Sequence, residues 1–250
     1  MMMEPDEEFK RATEAVEHAD KISVLTGAGM SVESGIAPFR GEGGLWEKFD
    51  AEEYATISTL HEDPSKSWEL FKVQIEEVID AEPHEGYDAV VEMEKHGLDE
   101  VITQNVDGLH EKAGSSDVLE LHGTLLDLSC IDCGEGYRTR EHFDEISEGN
   151  LPICECGGIL RPDAVLFGEQ LDQSVMDRSL HAARESDLML VIGTSAVVQP
   201  AASLPSLAKR SGAEILEINL DSTPLTQRIS DIFLKGEASK ILSRLIDKLA

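Results

Sequence analysis

At 250 residues the chain suits one large α/β domain or such a domain with a smaller insert, and 41% hydrophobic residues with only 5% aromatics give an aliphatic core. Its 50 acidic against 21 basic residues, net −29, exclude the positive footprint that duplex nucleic acid requires. No apolar run approaches the roughly 18 residues that cross a bilayer, and the acidic start Met1-Met2-Met3-Glu4-Pro5-Asp6-Glu7-Glu8 lacks the regions of a secretory signal, so a cytoplasmic protein is expected.

Along the chain, Glu4 to Ala19 has helical periodicity, with Phe9, Ala12, Val16 and Ala19 on one face. Ile22-Ser23-Val24-Leu25 reads as a short buried strand ending in Thr26-Gly27-Ala28-Gly29, and the glycines with Ser31 to Ile36 make a loop. Two helices are expected between Asp63 and Met93, with Pro64 in a first turn and Pro83 at the break. Glu100 to Thr103 and Val118 to Leu121 are further strands. From Leu128 to Leu160 periodicity fades into cysteines, glycines and charges, the character of an inserted module. Leu188 to Ile192 is an apolar run suited to a parallel strand buried on both faces. Ala201 to Arg210 is helical, Glu214 to Asn219 and Asp231 to Leu234 are strands, and Ala238 to Leu249 is a closing amphipathic helix. Alternating strands and helices with glycine loops at strand ends predict a Rossmann-like, doubly wound parallel sheet carrying a smaller domain.

Gly27 and Gly29 end the first strand, where missing side chains let backbone N–H groups approach a pyrophosphate. A dehydrogenase fingerprint would place glycine or alanine three residues past Gly29, and Val32 stands there; alone, the pair is equally a turn needing glycine. Thr103-Gln104-Asn105-Val106-Asp107-Gly108-Leu109-His110 follows the second strand, and Asn and Asp there are by themselves ordinary turn and cap residues. Glu120-Leu121-His122-Gly123 puts a histidine before the module; a lone histidine is more often structural, but imidazole also has the pKa of a base near neutrality. His110, His84 and His61 read as motif neighbours or surface residues, not bases.

All four cysteines lie in two short pairs, Cys130-Ile131-Asp132-Cys133 and Cys154-Glu155-Cys156-Gly157-Gly158. Four thiolates close a tetrahedron round zinc and leave no open position, so the site is structural. One residue separates the second pair where two are commoner, and the glycines relieve its turn. Two disulfides are the other reading, disfavoured in a chain without a secretion signal. Metal binding would supply folding energy to an insert with little core.

The run Gly27-Ala28-Gly29-Met30-Ser31-Val32-Glu33-Ser34-Gly35-Ile36-Ala37-Pro38-Phe39-Arg40-Gly41 resembles the cofactor-loop signature of the sirtuin family, and Gln104 to His110 resembles a second family motif. Leu160 to Glu169, Ile192 to Ala202 and Ile218-Asn219-Leu220-Asp221 are similar to later family segments, so the resemblance runs from Gly27 to about Ala238. It implies an NAD-dependent protein lysine deacylase, with NAD a co-substrate bound between the two domains and zinc on Cys130, Cys133, Cys154 and Cys156. Gly27, Ala28, Gly29 and Ser31 would line the cofactor, Phe39 and Arg40 would close over the nicotinamide ribose, and Gln104 would reach the ribose. Asn105, Val106 and Asp107 would surround the nicotinamide amide, Gly193, Thr194 and Ser195 would hold phosphate and ribose, and Asn219, Asp221 and Ala238 would mark the adenosine side. His122 is the implied base, with Asn105 also catalytic; Val165 and Phe167 would line the acyl-lysine tunnel on a strand, with Gly168, that pairs with substrate backbone.

The implied products are deacylated lysine, nicotinamide and O-acyl-ADP-ribose. The pattern is broken at Ala37-Pro38, where many members carry Pro-Asp or Pro-Thr; a change in loop stiffness rather than chemistry is expected. Phe71 and Gln74 align where members preferring acidic acyl groups carry Tyr and Arg, so neutral acyl groups are expected. The expected division is residues 1–35, 97–122 and 170–250 as a discontinuous Rossmann-like domain, 36–96 as cofactor loop and helical insert, and 123–169 as zinc-binding module and substrate strand. A monomer acting on acylated protein lysines, without nucleic acid or membrane, completes the expectation. The acidic excess points to a high-salt cytoplasm, as in a halophilic archaeon, where carboxylate repulsion is screened. Rival functions are mono-ADP-ribosyl transfer on the same fold, a nicotinamide-dependent oxidoreductase, opposed by Val32, and a non-enzymatic zinc-bearing interaction module, opposed by the Asn105, Asp107 and His122 loops.

Overall fold

The computed structural model describes residues 5–41 and 43–249, so Met1 to Glu4, part of the signal-peptide argument, lie outside the described residues. Helix α1 (Pro5–His18) opens on a proline and places Asp6, Glu7 and Glu8 in its first turn, where the helix dipole favours negative charge. Strand β1 (Ile22–Thr26) follows, buried at every residue. Four helices come next: α2 (Ala51–Tyr54), α3 (Ile57–Glu62), α4 (Pro64–Val78) and α5 (Glu85–Met93). Asp50 and Thr56 accept backbone N–H bonds at the first turns of α2 and α3, and Pro64 opens α4. Then come β2 (Leu98–Thr103), α6 (Leu109–Ala113), β3 (Val118–Glu120), β4 (Asp127–Cys130), β5 (Gly136–Arg138), α7 (Phe143–Ser147) and β6 (Leu160–Pro162). The chain closes with α8 (Gln173–Glu185), β7 (Leu188–Ile192), α9 (Leu204–Ser211), β8 (Glu214–Asn219), β9 (Ile232–Lys235) and α10 (Ala238–Leu249).

Among the described residues, six strands form a parallel sheet in the order β3-β2-β1-β7-β8-β9. Side chains alternate faithfully across it. Ile22 and Val24 of β1, with Leu188, Leu190 and Ile192 of β7, join α1, α5 and α10 in one cluster. Leu25, Met189 and Val191 point to the other face, into a cluster with α8 and α9. This is the doubly wound Rossmann-like fold expected. Strand order runs outward in opposite directions from β1 and β7, a topological switch point, and the carboxyl ends of those strands frame the crevice where ligands bind in such sheets.

A second core joins α2, α3 and α4 to β4, β6 and α7, through Leu60, Trp68, Phe71 and Ile75 on one side and Leu125, Leu128, Ile146 and Leu160 on the other. Residues 36–96 and 123–169 thus share this core, except that α5 packs against the large sheet through Tyr87, Val90 and Met93. The inserted module is more regular than its sequence suggests: β5-β4-β6 is an antiparallel sheet, but its strands are too short to show periodicity. Helix α8 is also unannounced, because its fully buried positions are the small Ser179 and Ala183 rather than a stripe of large apolar residues.

Candidate active site and metal centre

The two glycine loops at the switch point are interlocked. Gly27 N donates to Ile192 O at 3.0 Å and Gly29 N to Gly193 O at 2.8 Å. A Cβ on Gly27 would lie 2.6 Å from Thr194 Cβ, and one on Gly29 would lie 2.8 Å from Gly193 Cα. Gly193 itself has φ +61 and would bring a Cβ within 2.4 Å of Met30 N. The glycines are therefore required by loop-on-loop packing, a demand beyond the pyrophosphate approach and the turn that the sequence suggests. Gln104 Nε2 donates to Thr194 Oγ1 at 2.9 Å and Asn219 Nδ2 to Thr194 O at 3.0 Å, so the ends of β1, β2, β7 and β8 meet here. Ser195 and Asp221 stand exposed at the rim, with Asp221 accepting from Lys235 Nζ at 3.0 Å, whereas Ala238 is packed into the core at the start of α10.

Beneath this rim lies a buried polar network centred on Ser31. Its Oγ donates to Asp107 Oδ2 at 2.7 Å and accepts from Asn105 Nδ2 at 2.9 Å. A hydroxyl has one proton, already given to the carboxylate, so the Tyr87 hydroxyl 2.9 Å away must be the donor in that pair. Asn105 also donates to Gly27 O at 3.1 Å, and Leu109 N donates to Asp107 Oδ1 at 3.0 Å. Burial pushes the Asp107 carboxyl up, against the lowering effect of the Ser31 hydroxyl and of the Leu109 and Asp107 amides. Burial also raises the Tyr87 phenol, which stays a neutral donor. Tyr87 escaped the sequence reading because nothing in α5 distinguishes it from a core aromatic.

His110 is a core residue. Thr26 Oγ1 donates to Thr103 Oγ1 at 2.8 Å, so His110 Nε2, 3.0 Å from Thr26 Oγ1, carries the proton and donates. Burial pulls its pKa down to about 3. His84 donates from Nε2 to Met30 O at 2.7 Å and accepts Gly86 N at Nδ1, capping α5. Both rings are fully committed or buried, and His61 is on the surface, so none of the three is a free base.

His122 differs. It follows β3, and its Nδ1 donates to Gln104 O at 3.0 Å, which fixes the neutral tautomer with a lone pair on Nε2. Burial lowers its pKa, against the opposing effect of the Gln104 carbonyl. The ring is therefore unprotonated at neutral pH, as a base must be. Val165 N donates to His122 O at 2.8 Å, tying the segment after β6 to the histidine.

Between the loop after β1 and α4 is a recess lined by Ala28, Ser31, Ile36, Ala37, Phe39, Leu45, Gln74, Glu77, Val78, Asn105, Val106, Asp107 and Leu125. Gln74 is on this wall, whereas Phe71 is buried in the small-domain core against Trp68, ring centroids 5.5 Å apart. Phe39 stacks on Trp46 at 5.3 Å, Trp46 lies 6.4 Å from Phe167, and Arg40 is exposed. Phe167 N donates to Ala55 O and Ile57 N to Phe167 O. Phe167 and the Val165 amide thus have backbone partners within the chain, which narrows the edge of this segment open to a substrate strand. Gly168 makes the turn after it at φ +91.

The four cysteine sulfurs lie within 4.8 Å of one another, at 3.5 Å for Cys130–Cys156 and 3.6 Å for Cys133–Cys154. A tetrahedron with Zn–S bonds of about 2.3 Å has edges of about 3.8 Å, so the donor set fits zinc. Gly134 N to Cys130 O and Gly157 N to Cys154 O close the two knuckles, and a Cβ on Gly158 would fall 2.7 Å from Cys130 Sγ. The Tyr137 hydroxyl, 3.2 Å from Cys154 Sγ, holds that thiol down to about 6 and so favours the ligating thiolate.

The family model described as Sir2 family matches residues 27–200. A protein named NAD-dependent protein deacylase 2 from Pyrobaculum aerophilum is 44% identical over 228 residues, covering 90% of each chain. A solved Sir2 homolog–NAD complex is similar with TM-score 0.88 and 41% identity, over 96% of this chain and 93% of that one. The structure of Sir2Af2 bound to a myristoylated histone peptide is similar with TM-score 0.83 and 34% identity, over 98% and 97% of the two chains.

Proposed function

We propose how this chain, which belongs to the Sir2 family and is an NAD-dependent protein deacylase, divides its reaction among its residues. The observation that carries the assignment is the placement of His122, its Nε2 lone pair left free by the Nδ1 bond to Gln104, beside loops that bury Ser31, Asn105 and Asp107 at the switch point. His122 is the general base that draws a proton from a ribose hydroxyl. Asn105 and Asp107, fixed by Ser31 and Tyr87, recognise the carboxamide, which offers both donor and acceptor. Bound NAD would supply an electrophilic ribose carbon; the acyl-lysine oxygen adds there as nicotinamide departs, the ribose hydroxyl deprotonated by His122 attacks the resulting imidate carbon, and one water completes the release of free lysine and O-acyl-ADP-ribose. Phe39 shields that carbon from water, and Arg40 pairs with the pyrophosphate. Gly27, Ala28, Gly29, Gly193, Thr194 and Ser195 hold phosphate and ribose, with Gln104 at the nicotinamide ribose; Asn219, Asp221 and Ala238 mark the adenosine side. Val165, Phe167 and Gly168 guide the acyl-lysine, and the four cysteines hold a structural zinc.

Neutral acyl groups fit best, because Phe71 and Gln74 stand where members preferring acidic acyl groups carry Tyr and Arg, and neither offers a cation to an acidic acyl group. The chain acts as a monomer in the cytoplasm of a cell with high internal salt; a melting temperature that rises steeply with KCl and a monomeric sedimentation profile would support this, and a flat salt response would refute the halophilic part. Mass spectrometry of an acetyl-lysine peptide incubated with enzyme and NAD in molar KCl tests the reaction. Loss of acetyl with equimolar nicotinamide is expected; ADP-ribose transferred to protein instead would replace deacylation by mono-ADP-ribosyl transfer.

A further inference from the structure

The loop after β1 is tied to its surroundings on both flanks by carboxylate hydrogen bonds. It folds back on itself, Leu45 N donating to Pro38 O at 2.9 Å and Trp46 N to Phe39 O at 3.0 Å. On one side Glu33 accepts from Ser239 N at 3.1 Å and from the Ser239 hydroxyl, anchoring the loop to the start of α10. On the other side the Ala37 amide donates to Glu77 Oε2 at 3.0 Å. Glu77 is on α4, half buried, and lines the same recess as Asn105 and Asp107. Two carboxylates therefore span the loop between the two domains, one at each flank.

We propose that the Ala37 amide and the Glu77 carboxylate form a latch that holds the cofactor loop, with Phe39, across the recess, and that Glu77 is a positioning residue for the deacylation reaction. The functional consequence rests on the deacylase reading; the latch itself does not. A bond from an amide to a carboxylate is charge-assisted and stronger than a neutral one. It spans segments forty residues apart in number, Ala37 and Glu77, so its loss frees the loop without touching the helix that carries the acceptor. The position of the donor matters: a proline there would have no N–H to give. This is also where the chain leaves the sirtuin pattern. A loop latched before NAD arrives spares the ligand the cost of selecting a minor loop conformation.

The test uses the full, zinc-loaded protein in high salt and reads two things. Hydrogen exchange without NAD should show the Ala37 amide protected in wild type and exchanging about tenfold faster or more in Glu77→Ala. Steady-state kinetics should show KM for NAD rising about tenfold in Glu77→Ala, with a smaller change in kcat and in KM for the acyl peptide. Glu77→Gln, whose amide oxygen still accepts, should recover most of the loss. Ala37→Pro should reproduce Glu77→Ala, and the double variant should be no worse than either. Unchanged exchange and KM in Glu77→Ala, additive effects in the double variant, or a Glu77→Gln no better than Glu77→Ala would overturn the latch. The exchange measurement needs no turnover, so it decides the latch even in a protein that fails to deacylate.

Discussion

The large sheet and the inserted domain both end in tight loops, but their loops are held by different forces. At the switch point, β1 and β7 are buried along their whole length and their glycine loops lock by direct backbone contact, Gly27 and Gly29 against Gly193 and Thr194. In the insert, β4, β5 and β6 are three or four residues long, β5 is mostly exposed, and its far end consists of four thiols. One region is specified by tight backbone packing; the other has short strands and, at its far end, four thiols placed to hold a metal. Loss of zinc and addition of a methyl group should therefore separate the two regions.

The largest effect is expected from the metal. Structural zinc contributes on the order of 10 kcal/mol to small domains, so Cys130→Ser should abolish zinc binding and loosen β4, β5, β6 and α7 while β1 and β7 keep slow exchange. Hydrogen exchange with metal analysis checks this, and a single cooperative melt of both regions would erase the contrast. Next is His122→Ala, expected to lower kcat by about 10²–10⁴ with zinc content and melting temperature retained; activity near wild type would remove His122 from the base role. In the wild type, the acid limb of activity should fall below pH 6.5, because burial lowers the His122 pKa. A limb centred above that value would contradict the buried neutral ring.

Gly29→Ala drives a methyl into Gly193 and should destabilise by about 1–3 kcal/mol, read by urea melts, whereas Gly136→Ala in the insert, which meets nothing within 4 Å, should be tolerated. Equal costs at the two sites would break the comparison. The last contrast is in pH dependence. His110 in the fold resists protonation down to about 3, so between 6.5 and 3 the unfolded chain binds more protons and stability falls as pH falls. Glu120 does the reverse. Burial, with the Glu111, Asp107 and Asp127 charges, lifts it from 4.5 to about 8, so its protonated form favours the fold at low pH and that contribution is lost as pH rises through 8. Glu120→Gln should flatten the decline in stability between pH 4.5 and 8.

Much of the sheet was legible from its apolar residues: Leu188 to Ile192 is a continuous apolar run, Glu214 to Asn219 carries Ile215, Leu216 and Ile218 between polar residues, and both are read to the residue. The cysteine pairs were equally legible, since thiolate geometry constrains spacing. Helix α8 and the short insert strands were not, because small buried residues and three-residue strands leave no period to detect. At the site, Ser31, Asn105, Asp107 and His122 stood out through motifs, yet Tyr87 and Glu77 did not, since an aromatic and a carboxylate on helices look like core and surface until another segment is laid against them.

Sequence by itself determined most strands of the large sheet and the clustering of the four thiols, because each depends on local periodicity or close spacing; the candidate site residues were legible only through the resemblance to the sirtuin family. Tertiary structure decided which glycine faces which, which histidine keeps a free nitrogen, and that α5 serves the large core while α4 walls the recess. Those outcomes depend on contacts between residues far apart in the chain, such as Gly29 with Gly193, His122 with Gln104 and Ala37 with Glu77, where hydrogen-bond direction and ångström-scale overlap exist only once the segments are packed.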